Sequence, residues 1–472
     1  MGRIRQKTAA LLKSTRERSK FIFLMLLFFF ILRIIVIFFF SKANGDCYFY
    51  SNYALTLLEG TKWLYSSDFI GSYREPGYPI FLAFIYLLFG KENFLAVYIL
   101  QCLLSTATIF IIYRLAAAIF DKRTAFIAFI WSGFYIYYIW SACRILRETL
   151  VIFLFILLFY LLYRYLNLPD EKRKAIYLIS SASIYFFLIH TDSRYLYLIL
   201  PIPMIFTIYL SFRKGVKNFL IFLCLVIILS TPWAIRNYIV YKNFVLISTF
   251  HFKPSNNLFM SFKHWKWLFT FKDEREILSK TVLNANEQDY PLQKKQELIK
   301  TALQLPKTAT AEAFIVGTFK TLDAELYPFY YSSLQFKWLS LKKLLTPVML
   351  QKVFIVNSYS GTGFSLMKYR QWPLIYNILS FACYGTMLPF ALAGVIMLLR
   401  QKNKVTIFFL LPLIFHIFLH TIGSGLPRYR FPVDSFLIIL GAYGMSFTYS
   451  FFTRHIKKQP YKNYYTKPSE GR

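Results

Sequence analysis

Carboxylates and arginines stand close together in several short segments of this chain, each adjoining a long apolar run. Asp46 follows the first such run, Glu75 directly follows Arg74, and Glu148 begins another run. Ionisable residues beside membrane-length apolar runs are costly, so their concentration in a few places indicates a functional site. The segments are residues 44–50, 73–79, 144–149, 190–194, 232–237 and 428–430.

These residue types suit proton abstraction next to an anionic leaving group. A partly desolvated carboxylate can have its pKa raised and accept a proton from a hydroxyl group. Guanidinium groups bind phosphate through paired hydrogen bonds and stabilise negative charge that develops on it. Transfer of a sugar from a lipid phosphate to a hydroxyl group needs both functions at a membrane surface, so the residue types favour this reaction class.

Each acidic residue also has a purely structural interpretation. Asp46 follows a glycine and would be a suitable helix cap. Glu75 would form a local ion pair with Arg74 in a Pro-Gly turn, and the residues by themselves favour that interpretation. Glu148 would form a bridge to Arg144, four residues earlier on one helix face. The carboxylates alone therefore leave structural and catalytic roles open.

The amino-acid composition indicates which class of protein contains these segments. Hydrophobic residues make up 57% of the 472 residues and aromatic residues 20%, whereas only 16% are charged. A mean hydropathy of +0.45 excludes a soluble or disordered chain. Five cysteines without a CxxC spacing indicate neither a zinc site nor a disulfide framework. The sequence predicts an all-α integral membrane protein.

Ten apolar runs are long enough to cross a bilayer, which takes about 20 residues in a helix. The apolar run over residues 79–89 is too short to cross, so we expect it to lie in the outer interface. The ten predicted spans are 21–40, 92–113, 124–141, 148–166, 175–190, 195–212, 217–235, 374–399, 405–421 and 432–453.

Basic residues predict the orientation of these spans. With the N-terminus in the cytoplasm, the cytoplasmic segments hold 26 Lys and Arg, whereas the short outer loops hold nine. This asymmetry is typical of cytoplasmic loops and predicts that both termini are cytoplasmic. The formal charge of +33 therefore indicates membrane orientation and not a nucleic-acid partner.

All six of these segments then fall on the outer face. Four arginines there are candidates for binding a lipid phosphate: Arg194, Arg236, Arg428 and Arg430. The alternative is that each extends to lipid headgroups, as interfacial arginines usually do. Their confinement with the carboxylates to one face is the stronger indication of a site.

The predicted organisation has five parts. A long outer segment separates two bundles, and its basic and aromatic residues would rest on membrane lipids. The parts are a cytoplasmic basic tail at 1–20, a seven-span bundle at 21–235 with a catalytic outer loop at 41–91, a periplasmic or interfacial region at 236–373, a three-span bundle at 374–453 and a cytoplasmic tail at 454–472.

No cofactor is required by the sequence. His416 and His420 are spaced to share a helix face, but neither a glutamate between them nor an obvious third zinc ligand is present. We interpret them as a hydrogen-bonded pair and assign no metal site, and dependence on a divalent metal stays open. Phosphate-binding loops of nucleotide-dependent enzymes do not occur either.

Four ordered motifs resemble the GT-C glycosyltransferases, in the branch with protein O-mannosyltransferases and aminoarabinose transferases. They are DCYFY at 46–50, REPGYPIFLA at 74–83, PWAIRNY at 232–238 and RYRFP at 428–432. The resemblance implies a GT-C helical bundle of about ten spans with juxtamembrane helices, a mostly helical periplasmic region and an active site at the outer face. It also implies a polyprenyl-phosphate-linked sugar donor and inversion at the anomeric carbon.

The same resemblance implies roles for individual residues. Asp46 would be the catalytic base, and Cys47 stands where the family often has a second acid. Arg194 and Arg236, with Arg428 and Arg430, would bind the donor phosphate. The sugar and acceptor pocket would contain Arg74, Glu75, Tyr78 and Glu148.

We therefore expect an inverting glycosyltransferase of a bacterial inner membrane, facing the periplasm. Its acceptor is a hydroxyl group of a lipid, a glycan or a protein. Two other functions remain open: a transporter or flippase for lipid-linked sugars, and a non-catalytic subunit of a complex that assembles envelope polysaccharide. A flippase needs a polar route through the bilayer midplane, and the spans are nearly free of charges there apart from Arg33.

Overall fold

A computed structural model describes residues 2–41, 46–59, 75–241, 246–247, 381–422 and 430–457. Every regular element in these ranges is helical. The α-helices are α1 (Gly2–Phe40), α2 (Asp46–Leu58), α3 (Gly77–Phe89), α4 (Phe94–Ile119), α5 (Lys122–Phe134), α6 (Ile136–Ala142), α7 (Glu148–Asn167), α8 (Glu171–Thr191), α9 (Pro201–Leu210), α10 (Phe212–Tyr241), α11 (Thr386–Arg400), α12 (Lys404–Ile422) and α13 (Phe431–Lys457). A 3₁₀ helix (Ser193–Ile199) precedes α9, and a π-helical turn (Phe381–Gly385) precedes α11.

Eight of these helical segments are long and apolar enough to cross a membrane, and a bent pair makes nine. The chain is therefore a multi-pass membrane protein, and the prediction of about ten helical spans is confirmed. The predicted span 405–421 falls in α12, whose apolar part, Lys404–Ile417, is shorter than these eight segments and is not among them. Helix α3 has 13 residues, fewer than a crossing requires, as its short apolar run predicts.

Local sequence explains where several helices begin. Asp121 caps α5 by accepting a hydrogen bond from the backbone of Thr124 at 2.6 Å. Asp170 likewise accepts bonds from the first turn of α8, and Asn93 caps α4 through Ala96. These side chains satisfy backbone N–H groups that have no partner inside the helix.

The span predicted over 124–141 is broken. Helices α5 and α6 meet at a 48° bend, and Tyr135 between them has an extended backbone with φ −66° and ψ 109°. The apolar run indicates the crossing but not the break. Since the bend redirects the chain, it determines where the segment leading to Arg147 emerges from the bundle.

Helix α13 lies at the centre of the bundle, with 83% of its most apolar window buried. It packs closely on α11 through glycines. A Cβ atom on Gly394 would lie 2.2 Å from the carbonyl oxygen of Leu440, and one on Gly444 would lie 2.1 Å from that of Phe390. Small residues at such contacts let backbones approach closely inside a membrane.

This contact predicts that alanine substitutions at two neighbouring glycines differ in their effect on stability. Gly444→Ala is expected to reduce stability by about 1–3 kcal/mol, because the added methyl group overlaps backbone atoms. Gly441→Ala is the control, since its Cβ would lie 3.3 Å from the nearest atom, the Met387 carbonyl oxygen. Thermal unfolding of the detergent-purified variants measures the difference. Equal losses in the two variants would contradict the close approach.

Candidate functional site

Asp46 is the first residue of α2 and is partly buried. A carboxylate at this position lies at the positive end of the helix dipole. One turn further along α2, the buried ring of Tyr50 contacts the edge of Tyr78 on α3, with ring centroids 5.0 Å apart. The Ser51 and Tyr86 hydroxyl groups are 2.9 Å apart between the same helices. Helix α3 therefore holds the helix that begins at Asp46.

Glu75, just before α3, is 2% exposed and joins three parts of the chain. Its Oε2 accepts a hydrogen bond from Nη1 of Arg147 at 2.9 Å. Its Oε1 accepts one from the backbone N–H of Ser193 at 3.0 Å and another from the Ser193 hydroxyl group. Within the described residues, Glu75 thus pairs with an arginine 72 positions away, whereas Arg74, the partner expected from the sequence, lies outside them.

Arg147 links Glu75 to a second carboxylate, that of Asp192. Its Nε lies 3.5 Å from Oδ2 of Asp192, and Asp192 also binds the guanidinium group of Arg194 through Nε at 2.8 Å and through Nη2. We call Glu75, Arg147, Asp192, Ser193 and Arg194 the outer ion-pair network. Its two carboxylates and two guanidinium groups neutralise each other's charge in the protein interior.

The protonation of Arg147 follows from its neighbours. Burial alone would lower its pKa, but the carboxylates, with Asp192 first among them, outweigh this effect and raise the pKa well above its ordinary value. Glu148, the buried first residue of α7, is one of these carboxylates. The guanidinium group is therefore permanently charged.

Tyr78 links α3 to the segment that carries Arg147. Its hydroxyl group donates to Oε1 of Gln101 at 2.9 Å, and the Gln101 amide donates to the Arg144 carbonyl at 2.7 Å. Burial raises the pKa of Tyr78 well above its ordinary value. The phenol therefore stays protonated and acts as a hydrogen-bond donor. Arg144 itself lies over the Trp140 ring, 4.0 Å from its centroid.

Arg430 lies in a second buried cluster at the start of α13. Its Nε binds Oδ1 of Asp434 at 2.9 Å, and its guanidinium group lies 3.8 Å from the centroid of the Tyr384 ring. Tyr135, at the break between α5 and α6, donates its hydroxyl proton to the other Asp434 oxygen at 2.8 Å. The cluster connects the broken span to the last helix.

Arg236 lies near the end of α10 and is also buried. It donates to the Asn237 side chain at 3.1 Å and lies 5.2 Å from the centroid of the Trp233 ring. The Trp233 indole in turn donates to the carbonyl of Ile247 at 2.8 Å. Arg74 and Arg428, and most of the predicted outer region 236–373, lie outside the described residues.

The sequence predictions included Glu75, Glu148 and Arg194 but not the residues that join them. Arg147, Asp192 and Ser193 were missed as site residues, although they stand in the charged outer segments. Their adjacency to Glu148 and Arg194 was the available signal. It does not identify partners, because the contacts of Glu75 span 72 and 118 sequence positions.

Within the described ranges, no group of three or more His, Cys, Asp or Glu residues is arranged to hold a metal ion. His416 shares a hydrogen bond with the hydroxyl group of Tyr197 at 3.1 Å. The side chain of His420 is outside the described part of the chain. The interpretation of these two histidines as a hydrogen-bonded pair therefore stays a prediction.

Part of the sequence and the fold of this chain are similar to those of known proteins. Residues 74–235 match the family of dolichyl-phosphate-mannose-protein mannosyltransferases. The fold resembles the crystal structure of the apo oligosaccharyltransferase from Archaeoglobus fulgidus, with a TM-score of 0.51, 14% identity and coverage of 94% of this chain. The resemblance of this chain to GT-C membrane glycosyltransferases, in residues 74–235 and in the fold, is therefore confirmed. This chain spans about half of the archaeal protein, 52% of its length.

A second structure shows the same likeness of the GT-C fold. The archaeal oligosaccharyltransferase AglB from Archaeoglobus fulgidus, in complex with an inhibitory peptide and a dolichol-phosphate, has a TM-score of 0.50 and 13% identity. The alignment covers 95% of this chain and 53% of that one. Among curated proteins, none matches the sequence. The family match includes the whole outer ion-pair network but begins after Asp46.

Proposed function

We propose that this GT-C chain is an inverting glycosyltransferase that moves a sugar from a polyprenyl-phosphate donor to an acceptor hydroxyl group at the outer membrane face. One observation carries the proposal. Glu75, Arg147 and Asp192–Arg194, which belong to three distant segments, meet in one buried ion-pair network. Glu75 lies two residues before α3, the helix that holds α2 and thereby Asp46.

In the proposed reaction, Asp46 accepts the proton of the acceptor hydroxyl group while its oxygen attacks the anomeric carbon of the sugar. The new C–O bond forms on the face opposite the phosphate. The bond from the anomeric carbon to the phosphate oxygen breaks, and its electron pair leaves with the polyprenyl phosphate. Inversion follows from this single displacement. A carboxylate base of this kind contributes about 10²- to 10⁴-fold to a rate.

Arginines stabilise the charge that builds on the leaving phosphate. We rank Arg194 first among the four candidates, because its side chain is 13% exposed whereas Arg430 is 1% exposed and paired with Asp434. Arg236 and Arg428 follow it in the proposed donor site. The complex of AglB with a dolichol-phosphate supports a lipid phosphate as the donor class.

The sugar and acceptor pocket is proposed to lie around Arg74, Glu75, Tyr78 and Glu148. Both oxygens of Glu75 accept hydrogen bonds from protein groups, so we propose that it positions Arg147 beside the sugar. The acceptor is a lipid, a glycan or a protein, and the surroundings are membrane lipids. We place the protein in an inner membrane with both termini cytoplasmic and this pocket facing the periplasm.

Acceptor-dependent release of polyprenyl phosphate tests this function. The purified protein is incubated in detergent with polyprenyl-phosphate sugars and candidate acceptors, and free polyprenyl phosphate is measured by mass spectrometry. Release that requires an acceptor is the expected result. In proteoliposomes, donor movement across the bilayer without release would show a flippase. Neither release nor movement would indicate a non-catalytic subunit.

Arg236→Ala tests the proposed role of Arg236 in binding the donor phosphate. We expect the KM for the donor to rise about 10- to 100-fold, because a hydrogen bond to a charged group contributes about 1.5–3 kcal/mol. Arg213→Ala is the matched control, since Arg213 is exposed at the opposite end of the same helix. Steady-state kinetics against donor concentration provides both values. An unchanged donor KM in Arg236→Ala would count against the phosphate role.

A further inference from the structure

Helix α1 contacts the bundle along a narrow seam. Only 17% of its most apolar window is buried. Phe29, Arg33 and Ile37, one on each successive turn, are 0%, 0% and 3% exposed, whereas Ile35 and Phe38 between and beyond them are 49% and 73% exposed. Most of the helix surface is therefore exposed, and these three buried side chains lie at the centre of its contact with the bundle.

Arg33 is the polar member of this seam and is fully buried. Its Nε donates to the hydroxyl group of Ser105 on α4 at 2.8 Å. Its Nη1 donates to two backbone carbonyls, that of Phe29 at 3.1 Å and that of Gly133 at 3.2 Å. Its electrostatic neighbours among the described residues are the thiols of Cys102 and Cys143. A buried charge at this depth is costly and indicates a specific role.

These hydrogen bonds reach both halves of the broken span. Gly133 is in the last turn of α5, where carbonyls have no partner within the helix and the dipole favours a cation. Ser105 in turn donates its proton to the Tyr138 carbonyl in α6 at 3.2 Å. Gly133 also fits directly against the Phe29 ring, because a Cβ atom there would lie 2.1 Å from a ring carbon. One guanidinium group thus ties α1 to α4, α5 and, through Ser105, α6.

Two of these helices lead to residues of the proposed site. Helix α1 ends at Phe40, six residues before Asp46, and α6 ends at Ala142, five residues before Arg147. Apolar burial does not drive helix association inside a bilayer, so hydrogen bonds and packing determine how α1 is rotated and how deep it sits. We propose that Arg33 is a positioning residue that holds the end of α1, which precedes Asp46, in register with the broken span. The kinetic part of this inference rests on the proposed function.

Native cysteines report the position of α1 without any turnover. Cys47, Cys102 and Cys143 are buried in the same cluster as Ile37, whereas Cys224 is exposed on α10. The experiment treats detergent-purified protein with an apolar maleimide and identifies labelled cysteines by mass spectrometry. We expect wild type to be labelled at Cys224 and protected at the three buried cysteines.

Arg33→Met is expected to expose Cys102 and Cys143 to the reagent at least 10-fold faster. Arg33→Lys keeps a donor at this position and is expected to restore most of the protection. Ile35→Met, on the lipid-facing side of α1, is the control and should label as wild type does. If Arg33→Met does not fold, Ser105→Ala removes one acceptor of Arg33 and should give the same pattern to a smaller extent. If Cys102 and Cys143 are as well protected from the reagent in the variant that folds as they are in wild type, the inference is overturned.

Kinetics then separates positioning from general stability. Arg33→Met is expected to lower kcat about 10- to 100-fold with the donor KM within about twofold of wild type, since small misplacements of a catalytic group cost rates of this size. Arg33→Lys should recover most of kcat. Exposure of the cysteines with unchanged kcat would overturn the positioning role. If wild type transfers no sugar, the proposed function fails, and the labelling experiment still decides whether Arg33 holds α1.

Discussion

Asp46→Asn is expected to lower kcat for sugar transfer about 10²- to 10⁴-fold while the protein still inserts and purifies as wild type. The amide keeps the size and helix-capping ability of the carboxylate but cannot accept the proton of the acceptor hydroxyl group. Because Asp46 is partly buried at the start of α2, its replacement removes little packing. Release of polyprenyl phosphate over time, at saturating donor and acceptor, measures the loss.

The matched control is Glu59→Gln, which replaces an exposed acid just beyond the other end of α2. We expect its kcat to stay within about twofold of wild type. Asp46→Ala should behave like Asp46→Asn if proton abstraction is the missing function. Full activity in either variant at Asp46 would remove this residue as the base and leave the network without an assigned nucleophile activator.

Arg147→Met is expected to destabilise the fold by about 3–5 kcal/mol, the usual effect of removing one partner from a buried ion pair. Glu75 and Asp192, whose side chains are 1% and 2% exposed, would then keep negative charges without their shared guanidinium group. Transfer should also be lost, because the outer segments would no longer converge. Thermal unfolding of the detergent-purified variant and the transfer assay measure the two effects.

An exposed ion pair provides the comparison for this prediction. Arg173 and Asp170 are paired on the surface, with side chains 73% and 46% exposed. Arg173→Met should therefore cost less than about 1 kcal/mol. Combining Arg147→Met with Glu75→Gln should restore part of the stability, since one uncompensated charge is removed. A loss at Arg147 as small as that at Arg173 would show that the network is not the structural centre of the site.

Several features of the fold followed directly from the sequence. Long apolar runs predicted the helices because a bilayer requires a minimum helix length, and the same reasoning made 79–89 too short to cross. Asp121, Asn93 and Asp170 explain helix starts through local hydrogen bonds. The motifs also indicated a resemblance to GT-C glycosyltransferases, which the family match over residues 74–235 and the similarity of the fold confirm.

The break at Tyr135 could not be predicted in the same way. The run over 124–141 contains no proline, and its composition suits one continuous helix. Arg33 and Ser105 stabilise the broken form from outside the segment, by donating to the carbonyls of Gly133 and Tyr138. Because these partners come from other helices, their effect is absent from the local pattern.

The sequence by itself determined the membrane class, the approximate spans and a small set of charged candidates that includes Asp46, Glu75, Glu148 and Arg194. Tertiary structure alone decided which charges meet: Glu75 pairs with Arg147 and Ser193, and Arg430 pairs with Asp434. The physical reason is the range of the forces involved. Apolar runs and helix caps act over a few residues, whereas a buried ion pair forms only between side chains that helix packing brings within hydrogen-bonding distance.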